Sequence, residues 1–293
     1  MAATTASRGT AAKWVLGAPL ILFTAVLVAY PVFQGVQTGF FGLSLQDPEI
    51  PFTGLSNFTE VLTDPGFLSA ARFTIVFALV VTALETVLGF ALALLMNRQF
   101  PGKRVFFTML LVPIMIAPAL MGVMFRLLLN GDIGLVPELL RGVGLDISLF
   151  APDTVVPLLV VLDVLQWTPF TFLIMYAGLQ SFPTDVLEAA QIDGAGRWRT
   201  LRSIVLPIMR PIIFAAVFLR LIDAIRTFDV IYVLTAGGPG TSTTTMSIYI
   251  YKTAFESGQF GLAAAASTIV LIALVPFVPL LVKRIVTSGK EAS

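Results

Sequence analysis

The chain has 293 residues, 57% of them hydrophobic and only 12% charged, with a formal net charge of +1, and its mean hydropathy is +0.94; this is the material of a polytopic membrane protein, not of a soluble domain. It contains no histidine and no cysteine, which excludes imidazole acid/base catalysis, thiolate nucleophiles, Cys/His metal clusters and disulfides. Function must therefore rest on shape, carboxylates, guanidiniums, amides and aromatic rings, and no metal site is expected.

From the N-terminus, residues 1–13 form a small polar tail carrying Arg8 and Lys13. The apolar run 14–36 is longer than the core of a cleaved signal peptide and holds Pro19 and Pro31, so it reads as an uncleaved first span. Loop 37–69 contains Asp47, Glu49, Glu60 and Asp64 but no Lys or Arg. Asn57-Phe58-Thr59 matches a glycosylation acceptor there, a pattern short enough to be incidental. Further spans follow at 71–96, 103–129, 154–179, 205–234 and 263–282, each near the ~20 residues that a bilayer core requires. A turn around Pro101-Gly102 separates the second from the third, and 130–153, with Gly131, Gly142 and Gly144, is loop with one short interfacial helix near 136–141. The expected fold is all-α, a polytopic bundle of six transmembrane helices.

Basic residues orient this bundle. Of the 18 Lys and Arg, 12 lie in the two tails, the 2–3 turn and the stretch between spans four and five: Arg8, Lys13, Arg98, Lys103, Arg104, Arg197, Arg199, Arg202, Arg210, Lys283, Arg284 and Lys290. The opposite side or its border holds Arg72, Arg126, Arg141 and Lys252. Both termini and the 4–5 stretch are therefore expected in the cytoplasm.

That stretch, 181–204, is a charged island between apolar runs. Phe182-Pro183 stops the fourth span, Thr184 and Asp185 are N-cap candidates, and Glu188 falls in the first turn, where a carboxylate complements the helix dipole. Residues 186–192 make two helical turns, Gly194 and Gly196 let the chain leave that helix, and 198–204 restart one that Pro207 passes into the next span. One reading is an amphipathic interfacial helix without a partner. The other is a docking knob, with Ala189 and Ala190 giving a low profile for close packing and Glu188 a charge for a basic partner.

The spacing Glu-Ala-Ala, three residues, Gly, nine residues, Ile, one residue, Leu-Pro is filled by Glu188, Ala189, Ala190, Gly194, Ile204, Leu206 and Pro207. In this the chain resembles the permease subunits of binding-protein-dependent ABC importers. The segment 183–196, the run Phe-Asp-Val-Ile-Tyr-Val-Leu-Thr-Ala-Gly-Gly-Pro-Gly at 228–240, and Gly54-Leu55-Ser56-Asn57-Phe58 resemble the carbohydrate-uptake branch, in its MalF-like members. The resemblance implies a MetI-like permease fold with a cytoplasmic coupling helix: a tail 1–13, a permease domain 14–286 with coupling loop 181–207, and a tail 287–293. It implies docking of Glu188, Ala189, Ala190, Asp193, Gly194, Leu206 and Pro207 on an ATPase. The implied partners are a second homologous permease, two copies of a cytoplasmic ATP-binding subunit, an external sugar-binding protein, the sugar and membrane lipid, with no nucleic acid. The chain itself needs no cofactor, ATP and Mg being bound by the ATPase subunit, and the implied location is a prokaryotic cell (inner) membrane.

Ionisable groups inside spans are costly and face a cavity or a partner. Asp163, Gln166, Trp167 and Phe170 share one helical face of span four, and Arg220, Asp223, Ala224 and Thr227 share one of span five. Carboxylates and guanidiniums bond hydroxyls directionally and rings cover the apolar face of a sugar, so these faces suit a sugar pocket. The resemblance to the maltose permease places the same eight positions on its substrate-contacting face. Alternatively, Arg220 with Asp223 and Arg226 with Asp229 are i,i+3 pairs that neutralise one another, and Glu85 with Arg126 is a further internal pair without assigned function. The loop 237–245 reads either as a flexible external turn before a short helix near 246–255 or as a contact for the binding protein.

The expected function is import of a di- or oligosaccharide by an ATP-driven system in which this chain is a permease and not an enzyme. Uptake of glycerol phosphate or a polyol by the same type of system is the alternative. An intramembrane aspartyl enzyme using Asp163 and Asp223 is more remote, and a secondary carrier would show internal repeats, which are not seen.

Overall fold

The computed structural model describes residues 16–276 except 48, 146, 182–184, 187–189 and 191. The tails and, in the docking stretch, Glu188 and Ala189 lie outside the described residues. Among those described there is no strand, only an isolated bridge between Phe41 and Phe52. Two compact units emerge, Met1–Asp64 with Ile250–Ala273 and Pro65–Tyr249 with Leu274–Ser293.

The first unit contains α1 (Leu16–Thr38), whose apolar window has no buried residue, α2 (Ser56–Thr63) and α11 (Phe260–Leu274). Asn57 organises it. The buried amide of Asn57 donates to the carbonyls of Gly39 at 3.0 Å and Phe41 at 2.9 Å, satisfying backbone groups that the end of α1 leaves open. The glycosylation-like pattern is therefore a structural clasp. Gly39 must be small, because a Cβ there would lie 3.1 Å from the Phe58 ring and 3.2 Å from the Ala265 backbone. Leu45 and Gly261 complete the clasp with bonds to Gly258 and Leu43, both 2.9 Å.

The second unit is built on α3 (Pro65–Met96), α7 (Val155–Gln180) and α8 (Arg197–Ile225). Its other helices are α4 (Lys103–Met115), α5 (Pro118–Leu128), α6 (Leu135–Gly142) and α9 (Asp229–Thr235). The chain then passes through α10 (Met246–Tyr251). Helices α3 and α7 approach closely at Gly89, where an added Cβ would strike the Thr171 side chain and the Phe172 backbone. Helices α7 and α8 do so at Gly178, against Met209 and Ile212. Small residues at crossings are how apolar helices gain contact when lipid offers no hydrophobic penalty. One apolar cluster gathers Phe77, Val81, Leu159, Leu162 and Ile231, another Ala93, Met96, Phe172, Met175 and Met209.

Three expectations are corrected. The third span is not one helix: α4 and α5 meet at a 98° bend, because Pro118 disfavours helical backbone before it and Ile116 and Ala117 turn extended, with ψ of 129° and 137°. The fifth span starts at Arg197 and ends at Ile225, not at 234, and Arg226 caps it while Asp229 opens α9. Arg226 and Asp229 therefore do not share a helix. Glu85 and Arg126 do not pair: Arg126 Nη1 donates to the Val233 carbonyl at 3.0 Å, near the C-terminal end of α9. Among the described residues four helices are long and apolar enough to cross a bilayer, or five with the bent pair as one, and α11 is a shorter apolar helix.

Candidate functional site

Between the two apolar clusters of the second unit, α3, α7 and α8 each turn one acidic or basic side chain inward. The hub is Arg220 on α8, only 1% exposed. Its Nε lies 2.5 Å from Glu85 Oε2 of α3, and its Nη2 donates to Glu85 Oε1 at 3.0 Å. The same Nη2 reaches Asp163 Oδ2 of α7, while Nη1 reaches Asp223 Oδ2, one turn along α8, at 3.4 Å. The Trp167 ring lies over the guanidinium, with Cζ 5.3 Å from its centroid. Glu85, Asp163 and Arg220 are removed from water, which is tolerable only when such charges are paired, and a planar guanidinium fork meets three carboxyl groups at once.

The structure brings Asp163, Trp167, Arg220 and Asp223 together and adds Glu85, which sequence reasoning left without a role. The signal for Glu85 was present: one carboxylate in the middle of an apolar span needs an internal partner. What no spacing rule supplies is that the partner lies 135 residues away. Gln166 is buried and its Nε2 donates to the Ile116 carbonyl at 3.3 Å, bracing the break between α4 and α5, where regular helical bonding stops. Ala224 is wholly buried in an apolar cluster. Trp167, Phe170 and Thr227 are half-buried, with the Trp167 and Phe170 rings edge to face at 6.4 Å. Asp223 is the open member, its side chain 50% exposed. Since a guanidinium bridges Asp163 and Asp223, they do not form the shared-proton dyad that an aspartyl enzyme requires.

In the loop after α9 the threonines are not a flexible tether. Thr243, Thr244 and Thr245 are buried and donate to the carbonyls of Gly238 at 2.7 Å, Gly237 at 3.0 Å and Thr227 at 3.1 Å. Beyond Ala236 at its start, the loop is exposed at its tip, 239–242. Threonine hydroxyls close the turn locally.

Toward the start of α8, Ala190 is buried and its carbonyl accepts from Ala195 at 2.9 Å. Gly194 has a φ of +69° in open space, the left-handed backbone that ends a helix. Asp193 is exposed, and Leu206 and Pro207 are half-buried in the first turns of α8. Ile192 and Trp198 are 86% and 71% exposed. A cleft of about 890 Å³ lies between the end of α3, at Asn97 and Arg98, and the start of α8, at Arg197, Trp198 and Leu201.

Residues 85–287 match the family described as binding-protein-dependent transport system inner membrane component. The chain is 35% identical over 266 residues to the trehalose/maltose transport system permease protein MalF of Thermococcus litoralis, covering 88% of each. It is 32% identical to the sulfoquinovosyl glycerol transport system permease protein SmoG of Agrobacterium fabrum, covering 86% of this chain and 83% of that one. Its fold is similar to a chain of a bacterial ABC transporter involved in the import of the acidic polysaccharide alginate, with a TM-score of 0.79, 23% identity, and 95% and 98% of the two chains covered.

Proposed function

The chain belongs to the inner membrane components of binding-protein-dependent transport systems, and from that premise we propose that it forms half of the pathway of an ATP-driven sugar importer. It is an ABC transporter permease subunit, not an enzyme, and ATP hydrolysis belongs to a separate subunit. The substrate is a di- or oligosaccharide handed over by an external binding protein. A second homologous permease completes the pathway, and two ATP-binding subunits dock on the cytoplasmic loops. The relatives' names run from trehalose and maltose to an acidic polysaccharide, so family membership leaves the charge of the substrate open.

The observation that carries the reading is the face made by Trp167, Phe170 and Asp223, backed by the buried Arg220 cluster. Two rings nearly perpendicular, at 87°, offer an apolar wall for the C–H face of a pyranose, and the Asp223 carboxylate accepts from its hydroxyls. The cluster behind holds α3, α7 and α8 in register, so the face is preorganised. At the cytoplasmic end, Glu188 and Gly194 mark the segment through which closure of the ATPase moves α7 and α8. The test is uptake of labelled trehalose or maltose by the complete transporter in proteoliposomes. Trp167→Ala with Phe170→Ala is expected to cut uptake at least about tenfold, the scale of losing two aromatic contacts, while ATPase docking persists. Unchanged uptake in that double variant would remove these residues from the pathway.

A further inference from the structure

Arg220 is the residue that would suit an acidic sugar, and its burial among carboxyl groups leaves it no accessible edge. A guanidinium offers five N–H groups in one plane. Nη2 of Arg220 donates to Glu85 and also serves Asp163, Nη1 serves Asp223, Nε lies against Glu85 Oε2 as an ion pair without hydrogen-bond alignment, and one face is covered by Trp167. With 1% of the side chain exposed, no carboxylate, sulfonate or phosphate of a substrate reaches it without displacing an internal partner.

The balance of charge points the same way. Three carboxyl groups, Glu85, Asp163 and Asp223, surround one guanidinium. Asp223 is also the group that faces out, and its contact with Arg220 is the longest of the set at 3.4 Å, so its oxygens are the least committed. The open side of the cluster therefore presents an acceptor and a negative charge, half open to solvent and backed by an interior of low dielectric. Arg226, exposed past the last turn of α8, is not part of the cluster.

We propose that this face selects uncharged polyhydroxyl substrates and rejects anionic sugars, with Asp223 as the specificity-determining residue and Arg220 as a positioning residue buried behind it. Hydroxyl donors satisfy the carboxylate, whereas an acidic group meets like charge, which costs binding sharply in a partly desolvated site. The inference rests on the reading of this face as the sugar pathway.

The absence of cysteine makes the test direct. In the complete transporter, single cysteines are placed at Thr227, beside the face, and at Ser242, exposed in the loop after α9. Modification of this chain is followed by mass with cationic, anionic and neutral methanethiosulfonates. The cationic-to-anionic rate ratio at Thr227→Cys is expected to exceed that at Ser242→Cys by about tenfold, and Asp223→Asn should bring the two within about threefold. Maltose should protect Thr227→Cys from the neutral reagent at concentrations about tenfold below its acid derivative maltobionate. A ratio indifferent to Asp223→Asn, or maltobionate protecting as well as maltose, overturns the charge selection while leaving the pathway reading intact. If maltobionate protection is then lost in Arg226→Gln, the contact moves to Arg226. Absence of protection by maltose and trehalose together, in a transporter that still imports one of them, overturns the pathway reading and this inference with it.

Discussion

Three carboxyl side chains, two of them buried, are held by one planar cation, and that arrangement makes their contributions unequal. Glu85 is wholly buried and lies against Arg220 through both oxygens, so Glu85→Ala leaves the guanidinium charge to Asp163 and Asp223 but its Nε side without an acceptor in a site closed to water. We expect a loss of about 2–3 kcal/mol, the upper part of the range for leaving a buried donor unsatisfied, read as a lowered midpoint of thermal unfolding in detergent. Asp223→Asn removes a half-exposed partner at 3.4 Å and should cost at most about 1 kcal/mol by the same measurement, because solvent screens it. A contrast in that order separates a structural lock from an outward-facing contact. A sequence reading reaches as far as naming Asp163, Trp167, Arg220 and Asp223, since polar groups at helical spacing inside an apolar run need an inward face. It does not reach the Glu85 pairing, because which carboxylate meets Arg220 depends on the depth and rotation of α3 against α8.

Helix geometry then explains why the spans depart from simple apolar runs. Composition continues unbroken through 103–129, yet α4 and α5 bend by 98°, since Pro118 forces the residue before it out of helical backbone. The carbonyl of Ile116, left at the end of α4, is met by Gln166. Gln166→Leu keeps the shape of the side chain but leaves that carbonyl without this donor, and should cost about 1–3 kcal/mol; proteolysis at the 116–117 break reads it as faster cleavage. Gly89→Val tests the crossing of α3 and α7. Its Cβ would meet the Thr171 side chain and the Phe172 backbone, neither of which retreats without shifting α7, so a loss near the upper end of the overpacking range, about 3 kcal/mol, is expected in the same unfolding assay. Hydropathy located both ends of α7 and the end of α3, but placed the start of α3 at 71 where the helix begins at Pro65. It misplaced the end of α8 because 226–234 is apolar enough to look continuous, and only the break at Arg226–Phe228 shows that α9 is a separate helix.

For the molecule as a transporter subunit, the proposed docking stretch and the proposed sugar face are expected to serve different steps. Glu188→Arg reverses the charge offered to a partner, and Gly194→Pro places a residue restricted to negative φ where the backbone has +69°. Both variants are expected to insert normally and to abolish uptake while leaving maltose protection of Thr227→Cys unchanged; normal uptake would remove this stretch from coupling. Residue identity alone determined that this chain lives in a membrane, that it lacks imidazole and thiol chemistry, and that its Glu188 to Pro207 spacing is that of a permease. Those properties are local sums and spacings along the chain. The tertiary structure alone decided that Arg220 is consumed by Glu85 and Asp163, that Asn57 is a clasp, and that Asp223 is the charge left facing outward. These depend on where small residues such as Gly89 and Gly178 let helices approach, and close approach is a property of surfaces that meet only after the chain has folded.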